Sequence, residues 1–180
     1  NCPYWHGVFG GLYLNHLRYA TYSRFISAEK ILDSKKDDKF LEYDVMDFDK
    51  DGQMEIILRN KHLNLYIAPY YGGSLFELDY KPASINLLDT MTRRKEGYHS
   101  KLSQAKVADE IEEASIHDRI EAKEEGLEKH LIYDWHKRVG FLDHFFEIGT
   151  THEHFSRNEY NEKGDFVNRP FEANLNEDKD

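Results

Sequence analysis

The stretch MEIILRNKHLNLYIAPYYGGSLFELDY, residues 54–80, carries three apolar runs separated by turn chemistry, and it decides the class of fold. Met54 to Arg59 reads as a short strand. Leu63, Leu65 and Ile67 then alternate with His62, Asn64, Tyr66 and Ala68, the period of two that a pleated strand imposes. Asn60-Lys61 between these runs is short enough for a hairpin turn. Pro69 cannot donate to a ladder and ends the second run, and Tyr70-Tyr71-Gly72-Gly73 turns the chain. From Ser74 to Tyr80 the alternation resumes, with Phe76, Leu78 and Tyr80 set against Leu75, Glu77 and Asp79. Lys81-Pro82 makes a further turn before Ile85, Leu87 and Leu88. Strands packed this closely leave no room for crossover helices. They predict a mostly β domain, a sandwich or barrel.

Upstream the period changes. Leu14, Leu17, Tyr22, Phe25 and Ile26 recur at roughly helical spacing, which predicts a helix over Leu12–Leu32. It should stop near Asp33-Ser34, where the polar run SKKDDK at 34–39 begins. That run divides a helical unit at 1–38 from a β-rich unit at 39–180. Downstream, residues 101–129 are dominated by charge and read as a solvated face or excursion. Residues 131–146, LIYDWHKRVGFLDHFF, support helix and strand equally.

Composition narrows the partners. Lys and Arg number 24 against 34 Asp and Glu, a formal charge of -10, which argues against nucleic acid or an anionic membrane. No apolar run approaches a membrane span. The single Cys forbids an internal disulfide and fits a reducing compartment, so a cytoplasmic location is expected. The absence of an initiating Met suggests a piece of a longer polypeptide.

The opening NCPYWHGVFGGLYLNHLR, residues 1–18, gathers Tyr, Trp and His directly ahead of glycines. Aromatic faces stack on the C–H faces of sugars, an imidazole exchanges hydrogen bonds near neutral pH, and small residues behind them permit close approach. This stretch resembles the last sequence signature of the family 57 glycoside hydrolases, α-amylases and 4-α-glucanotransferases. Asn1, Tyr4, Trp5, His6, Gly7, Phe9, Gly10, Gly11, Tyr13, Leu14, Leu17 and Arg18 all match it. Cys2 stands where an acidic residue is frequent in that family. Gly72-Gly73-Ser74-Leu75, Tyr133-Asp134-Trp135, Asp143-His144-Phe145-Phe146 and Gly164-Asp165-Phe166-Val167 extend the likeness over most of the chain.

The resemblance implies a β-sandwich C-terminal domain preceded by the helical end of the catalytic unit. It implies a parent that hydrolyses or transfers α-1,4-glucan with retention, with Asn1, Trp5 and His6 lining the cleft. Retaining glycosidases need two carboxyl groups about 5 Å apart. In the resembled family both lie on a barrel upstream, so no catalytic residue is expected here and the fragment alone should be inactive. The runner-up is a non-catalytic carbohydrate-binding or Ca²⁺-stabilised module, with Tyr70, Tyr71 and Trp135 as the stacking platform.

Two further constellations could carry chemistry. Asp47-Phe48-Asp49-Lys50-Asp51-Gly52 sets carboxylates at alternate positions ahead of a glycine, the opening of a Ca²⁺ loop. Leu58 at the twelfth position excludes an EF-hand, but Asp47, Asp49 and Asp51, with Gln53 and Glu55 following, could hold structural Ca²⁺ without its helices. His152 and His154 on a strand would share a face, yet no third ligand is fixed by spacing, and surface histidines fit better. Asp134, Asp143 and Glu147 are available for acid–base work, and nothing in their spacing selects them.

Overall fold

The structure is a computed structural model, and it describes residues 11–36, 40–97, 99–100, 106–107, 121–122 and 127–176. After a single 3₁₀ turn at Gly11–Tyr13, helix α1 spans Asn15–Asp33. Its first turn lacks a side-chain cap, while the Ser34 backbone N–H closes the other end by donating to the Lys30 and Leu32 carbonyls. Ile26 is its one buried residue, 1% exposed. Helix existence follows the expected spacing. What holds it to the rest is polar.

Strands β1 (Glu42–Met46), β2 (Glu55–Arg59), β3 (Leu63–Ala68), β4 (Ser74–Tyr80) and β5 (Ile85–Asn86) form one antiparallel meander in chain order. The mostly β class expected from residues 54–80 is what the chain displays. Asn60 closes the β2–β3 hairpin, its Oδ1 accepting the His62 and Leu63 backbone N–H groups at 2.8 Å each. Strand β1 was not legible in the sequence. Its burial is low along four of five residues, so Glu-Tyr-Asp-Val-Met shows no inward set. It is an edge strand held by its ladder to β2.

The alternation along β3 marks the strand but not the face that is covered. Asn64, Tyr66 and Ala68 are buried while Leu63, Leu65 and Ile67 are half-buried. Asn64 and Tyr66 reach Glu29 of α1, so the covered side of the sheet is a polar one. Apolar core residues at Ile56, Ile57, Leu75 and Val167 flank it.

Beyond β5 regular structure thins out. Two-residue strands β6 (Lys106–Val107) and β7 (Glu121–Ala122) pair in parallel. Residues 131–146 are neither helix nor ladder: they run irregularly and touch the sheet through a single bridge, Gly140 to Leu75. Thus the described residues place an irregular strap against the meander, not a second regular sheet. His152 and His154 lie in helix α2 (His152–Arg157), not on a strand. Thr151 caps that helix, and His154 completes the capping box, so its imidazole is committed to the local backbone. The segment beyond α2 is fixed at Gly72, which has φ of +67° and donates its N–H to the Arg169 carbonyl at 2.8 Å.

Candidate functional site

Asn1, Trp5 and His6, the expected sugar contacts, lie outside the described residues. The end of the same signature is placed. Tyr13 donates its hydroxyl to Glu96 Oε1 at 3.2 Å, and Asn15 Nδ2 donates to Asp89 Oδ2 at 3.4 Å. Arg18 Nε meets Asp89 Oδ1 at 2.7 Å, with each side chain 13% exposed. Arg18, one of the signature residues, therefore ties α1 to the segment that follows β5. At the other end of the helix, Lys81 Nζ donates to Asp33 Oδ2 at 2.6 Å and to the Asn60 carbonyl at 2.9 Å. Ser27 reaches Ser84 at 3.2 Å between them. These polar ties fix the helix over the sheet at both ends, and Asp89 and Lys81 carried no signal in the sequence that would have singled them out.

Under the middle of the helix sits a buried carboxylate group. Asn64 Nδ2 donates to Glu29 Oε2 at 2.7 Å, and Tyr66 donates its hydroxyl to Glu29 Oε1 at 3.2 Å. Asn64 also faces Asp79 directly across the β3–β4 ladder. Asp79 and Asn64 are 0% exposed. Glu77 and Asp79, two apart on β4, point to the same side and hydrogen-bond to each other. Burial, reinforced by the charges of Asp79 and Glu29, pushes the Glu77 carboxyl up, and burial with Glu29 pushes Asp79 up in the same sense. The pair therefore holds a proton, donated from Glu77 to Asp79. Burial and the same charges also push the Tyr66 hydroxyl above its ordinary value. Being sealed beneath α1, Asp79 has no access to a substrate, so this is a structural pair.

The acidic loop between β1 and β2 brings together Asp47, Asp49 and Glu55, whose carboxylate oxygens lie within 4.8 Å of one another. Asp51 stands apart from that trio, with its Oδ1 accepting the Gln53 N–H at 2.8 Å in an Asx turn. Gly52 supplies the positive φ, +91°, that lets the loop reverse into β2. Glu55 is 2% exposed and accepts the Phe48 N–H at 2.7 Å. Asp47 Oδ1 is buried and has no hydrogen-bond donor among the described residues. Lys50 Nζ donates to the Asp47 carbonyl at 2.6 Å. Three carboxylates around one orphaned oxygen fit a hard, oxygen-seeking cation.

In the strap, Asp134 is clamped by two arginines, Arg93 Nη2 at 2.5 Å and Arg138 Nη2 at 2.9 Å, with its own side chain 0% exposed. Burial alone would raise its carboxyl, but the hydrogen bonds from both guanidiniums outweigh it and hold the group far below the usual range. His144 Nδ1 lies 2.6 Å from Glu162 Oε1, and stacks on Phe146 at 5.3 Å. Asp134 is thus a structural anchor rather than an acid or base. Tyr71, expected on a stacking platform, has Lys137 Nζ 3.8 Å over its ring, whereas Trp135 remains 44% exposed. Among the described residues no helix is long and apolar enough to cross a membrane.

Comparison with known proteins agrees with these features. Residues 47–179 match a family profile described as alpha-amylase/4-alpha-glucanotransferase, C-terminal, and residues 1–32 match the middle domain of the same family. Alpha-amylase 1 of Dictyoglomus thermophilum is 50% identical over 147 residues, covering 82% of this chain and 21% of that protein. The 4-alpha-glucanotransferase of Thermococcus litoralis is 40% identical over 177 residues, covering 97% of this chain and 26% of that protein. The crystal structure of the latter superposes with a TM-score of 0.73 at 35% identity, over 97% of this chain and 23% of that one. The chain therefore spans about a quarter of the length of the relatives it matches. It belongs to the alpha-amylase/4-alpha-glucanotransferase family, of which it carries the end of the middle domain and the β-rich C-terminal domain.

Proposed function

We propose that this chain is the non-catalytic C-terminal part of a retaining enzyme that hydrolyses or transfers α-1,4-glucan. Trp5 and His6 supply sugar contacts at one wall of the cleft, Asn1 supports them, and the β-rich domain buttresses that wall. The observation that carries the reading is the tie between the signature and the segment that follows β5. Arg18, Asn15 and Tyr13 are all anchored on Asp89 and Glu96, so the YWHG stretch just upstream starts from a fixed point. The catalytic carboxyl pair comes from the upstream barrel of the same polypeptide. Phe25, Ile31 and Leu32 on α1 and Phe40 and Leu41 beside β1 are exposed, and they offer that barrel an apolar seat. The test is product sizing after the full-length polypeptide is incubated with maltoheptaose. Products both shorter and longer than the substrate mean transfer, shorter ones alone mean hydrolysis, and an unchanged substrate rejects the reading. Trp5→Ala should raise KM for maltooligosaccharides several-fold.

The acidic loop serves as a structural Ca²⁺ site in the same reading, with Asp47, Asp49 and Glu55 as carboxylate ligands. Asp51 shapes the loop from behind them. Ca²⁺ binding to the folded state alone raises stability by mass action. Adding Ca²⁺ after chelator should therefore raise the unfolding temperature, and Glu55→Gln should abolish the increment. An equal unfolding temperature with Ca²⁺ and with chelator rejects the site.

A further inference from the structure

The geometry points to a second, non-catalytic binding site for a neutral oligosaccharide, in the cavity beside Trp135. This inference rests on the α-glucan reading for the identity of the sugar, and on the cavity itself for the chemistry. The cavity is about 500 Å³, the size of a small-molecule site, and is open on one side. Trp135 forms one wall. His136 meets its ring edge-on at 4.9 Å and Tyr160 lies tilted at 6.0 Å, so no parallel ring covers the indole among the described residues. With 44% of the residue exposed, an aromatic face is left for a ligand.

The rest of the lining includes exposed polar side chains. Asn161 offers both donors and acceptors, Asn168 offers its Oδ1 while its Nδ2 reaches the Trp135 carbonyl at 3.5 Å, and the Asp165–Arg169 pair offers the acceptor and donors not spent on each other. That mixture matches hydroxyl groups, which need both. It does not match an anion, because Arg169 is paired with Asp165 at 2.6 Å and Glu162 adds negative charge. An exposed indole with amides and a carboxylate around the same cavity suits the apolar C–H face of a pyranose and its hydroxyls together.

Part of the cavity's frame is held by other contacts. Val167 is 2% exposed and anchors the floor. Glu162 is held from behind by His144 at 2.6 Å and by the Phe145 N–H at 2.8 Å. The Arg169 carbonyl is fixed by the Gly72 N–H at 2.8 Å.

The test is retention of the full-length polypeptide on insoluble starch, with wild type, Trp135→Ala, Trp135→Phe and Arg169→Ala compared. Trp135→Ala should lower the bound-to-free ratio about tenfold, as loss of a central aromatic contact does. Trp135→Phe should recover part of that loss. Should Trp135→Ala fail to fold, Arg169→Ala, whose side chain is 66% exposed, still reads the site through a several-fold loss. Unchanged retention in the folded variants overturns the inference. An equal loss of retention and of kcat/KM on maltotriose also overturns it, because Trp135 would then belong to the catalytic cleft. A wild type that processes maltoheptaose without being retained overturns this site alone. One that neither binds nor processes glucan overturns the proposed function with it.

Discussion

Replacing Glu77 with Gln should remove most of the pH dependence of stability between about pH 4.5 and about pH 8. Glu77 and Asp79 hold a proton beneath α1, with Glu29 above them and the Asn64 amide alongside. Lys81 faces the group from the end of β4 and is already engaged by Asp33, while Arg59 on β2 is engaged by Asp44. The unfolded chain releases the Glu77 proton near 4.5, whereas the folded chain keeps it until about 8. In that window the folded state binds more protons, so stability falls as pH rises. Below it both states are protonated, and above it the penalty is constant. Each tenfold difference in proton affinity is worth about 1.4 kcal/mol, which sets a ceiling of nearly 5 kcal/mol. Partial exposure of Glu77 and proton sharing with Asp79 reduce the expected change to about 2 kcal/mol across the window. With a urea m-value of about 2 kcal/mol/M, the midpoint should fall by about 1 M between pH 5 and pH 8.5. His136 works in the opposite sense. Burial lowers its affinity for protons, so its contribution grows as pH rises through the ordinary histidine range. Subtracting the Glu77→Gln curve from wild type cancels that effect, because the Gln amide keeps the hydrogen bond to Asp79 without a titratable proton. If the variant retained the wild-type slope, the shared proton would not be on Glu77 and Asp79.

Two further substitutions probe the ties that position the helix and the strap. Arg18→Ala leaves Asp89, 13% exposed, without its guanidinium, and should cost about 2 kcal/mol in denaturant unfolding. Arg18→Lys should recover only part, since a single nitrogen lacks the guanidinium's planar fork, whose Nε and Nη2 reach the Asp89 carboxylate and carbonyl. Gly72→Ala puts a Cβ 2.7 Å from the Val167 carbonyl oxygen and 2.9 Å from Leu142 Cδ2, at a φ of +67°. Steric overlap and left-handed strain together should cost about 3 kcal/mol. The nearby Gly73→Ala, where the nearest atom is 3.7 Å away, should cost only the backbone share.

Which parts of this architecture could be read from the sequence depends on how far apart the residues that decide them lie. Strands β2 to β4 were legible because their pairing partners follow within a hairpin, and because Asn60, Pro69 and the Gly72-Gly73 pair terminate each run locally. The covered face of those strands was not. A local pattern ranks Leu63, Leu65 and Ile67 above Asn64 and Tyr66 for burial, yet Asn64 is 0% exposed because Glu29, 35 residues earlier, supplies its partner. Polar burial of this kind is paid for by a specific hydrogen bond, and hydropathy has no term for a bond whose other half lies on another element. Residues 131–146 failed for the same reason on a larger scale. Their shape is set by Asp134 gripping Arg93, 41 residues upstream, and by His144 gripping Glu162, 18 residues downstream, so neither a helical nor an alternating period could describe them. The acidic loop was half legible. Alternating carboxylates picked out Asp47 and Asp49, and of the acids that follow it is Glu55, already inside β2, that joins their cluster, while Asp51 stands apart. A loop pattern fixes which residues are near one another in sequence, while the strand that follows decides which carboxylate is carried inward. Motif spacing is therefore strongest where the backbone itself supplies the frame, as it does from Gly11 to Arg18 along the start of α1, and weakest where a second element must complete the site.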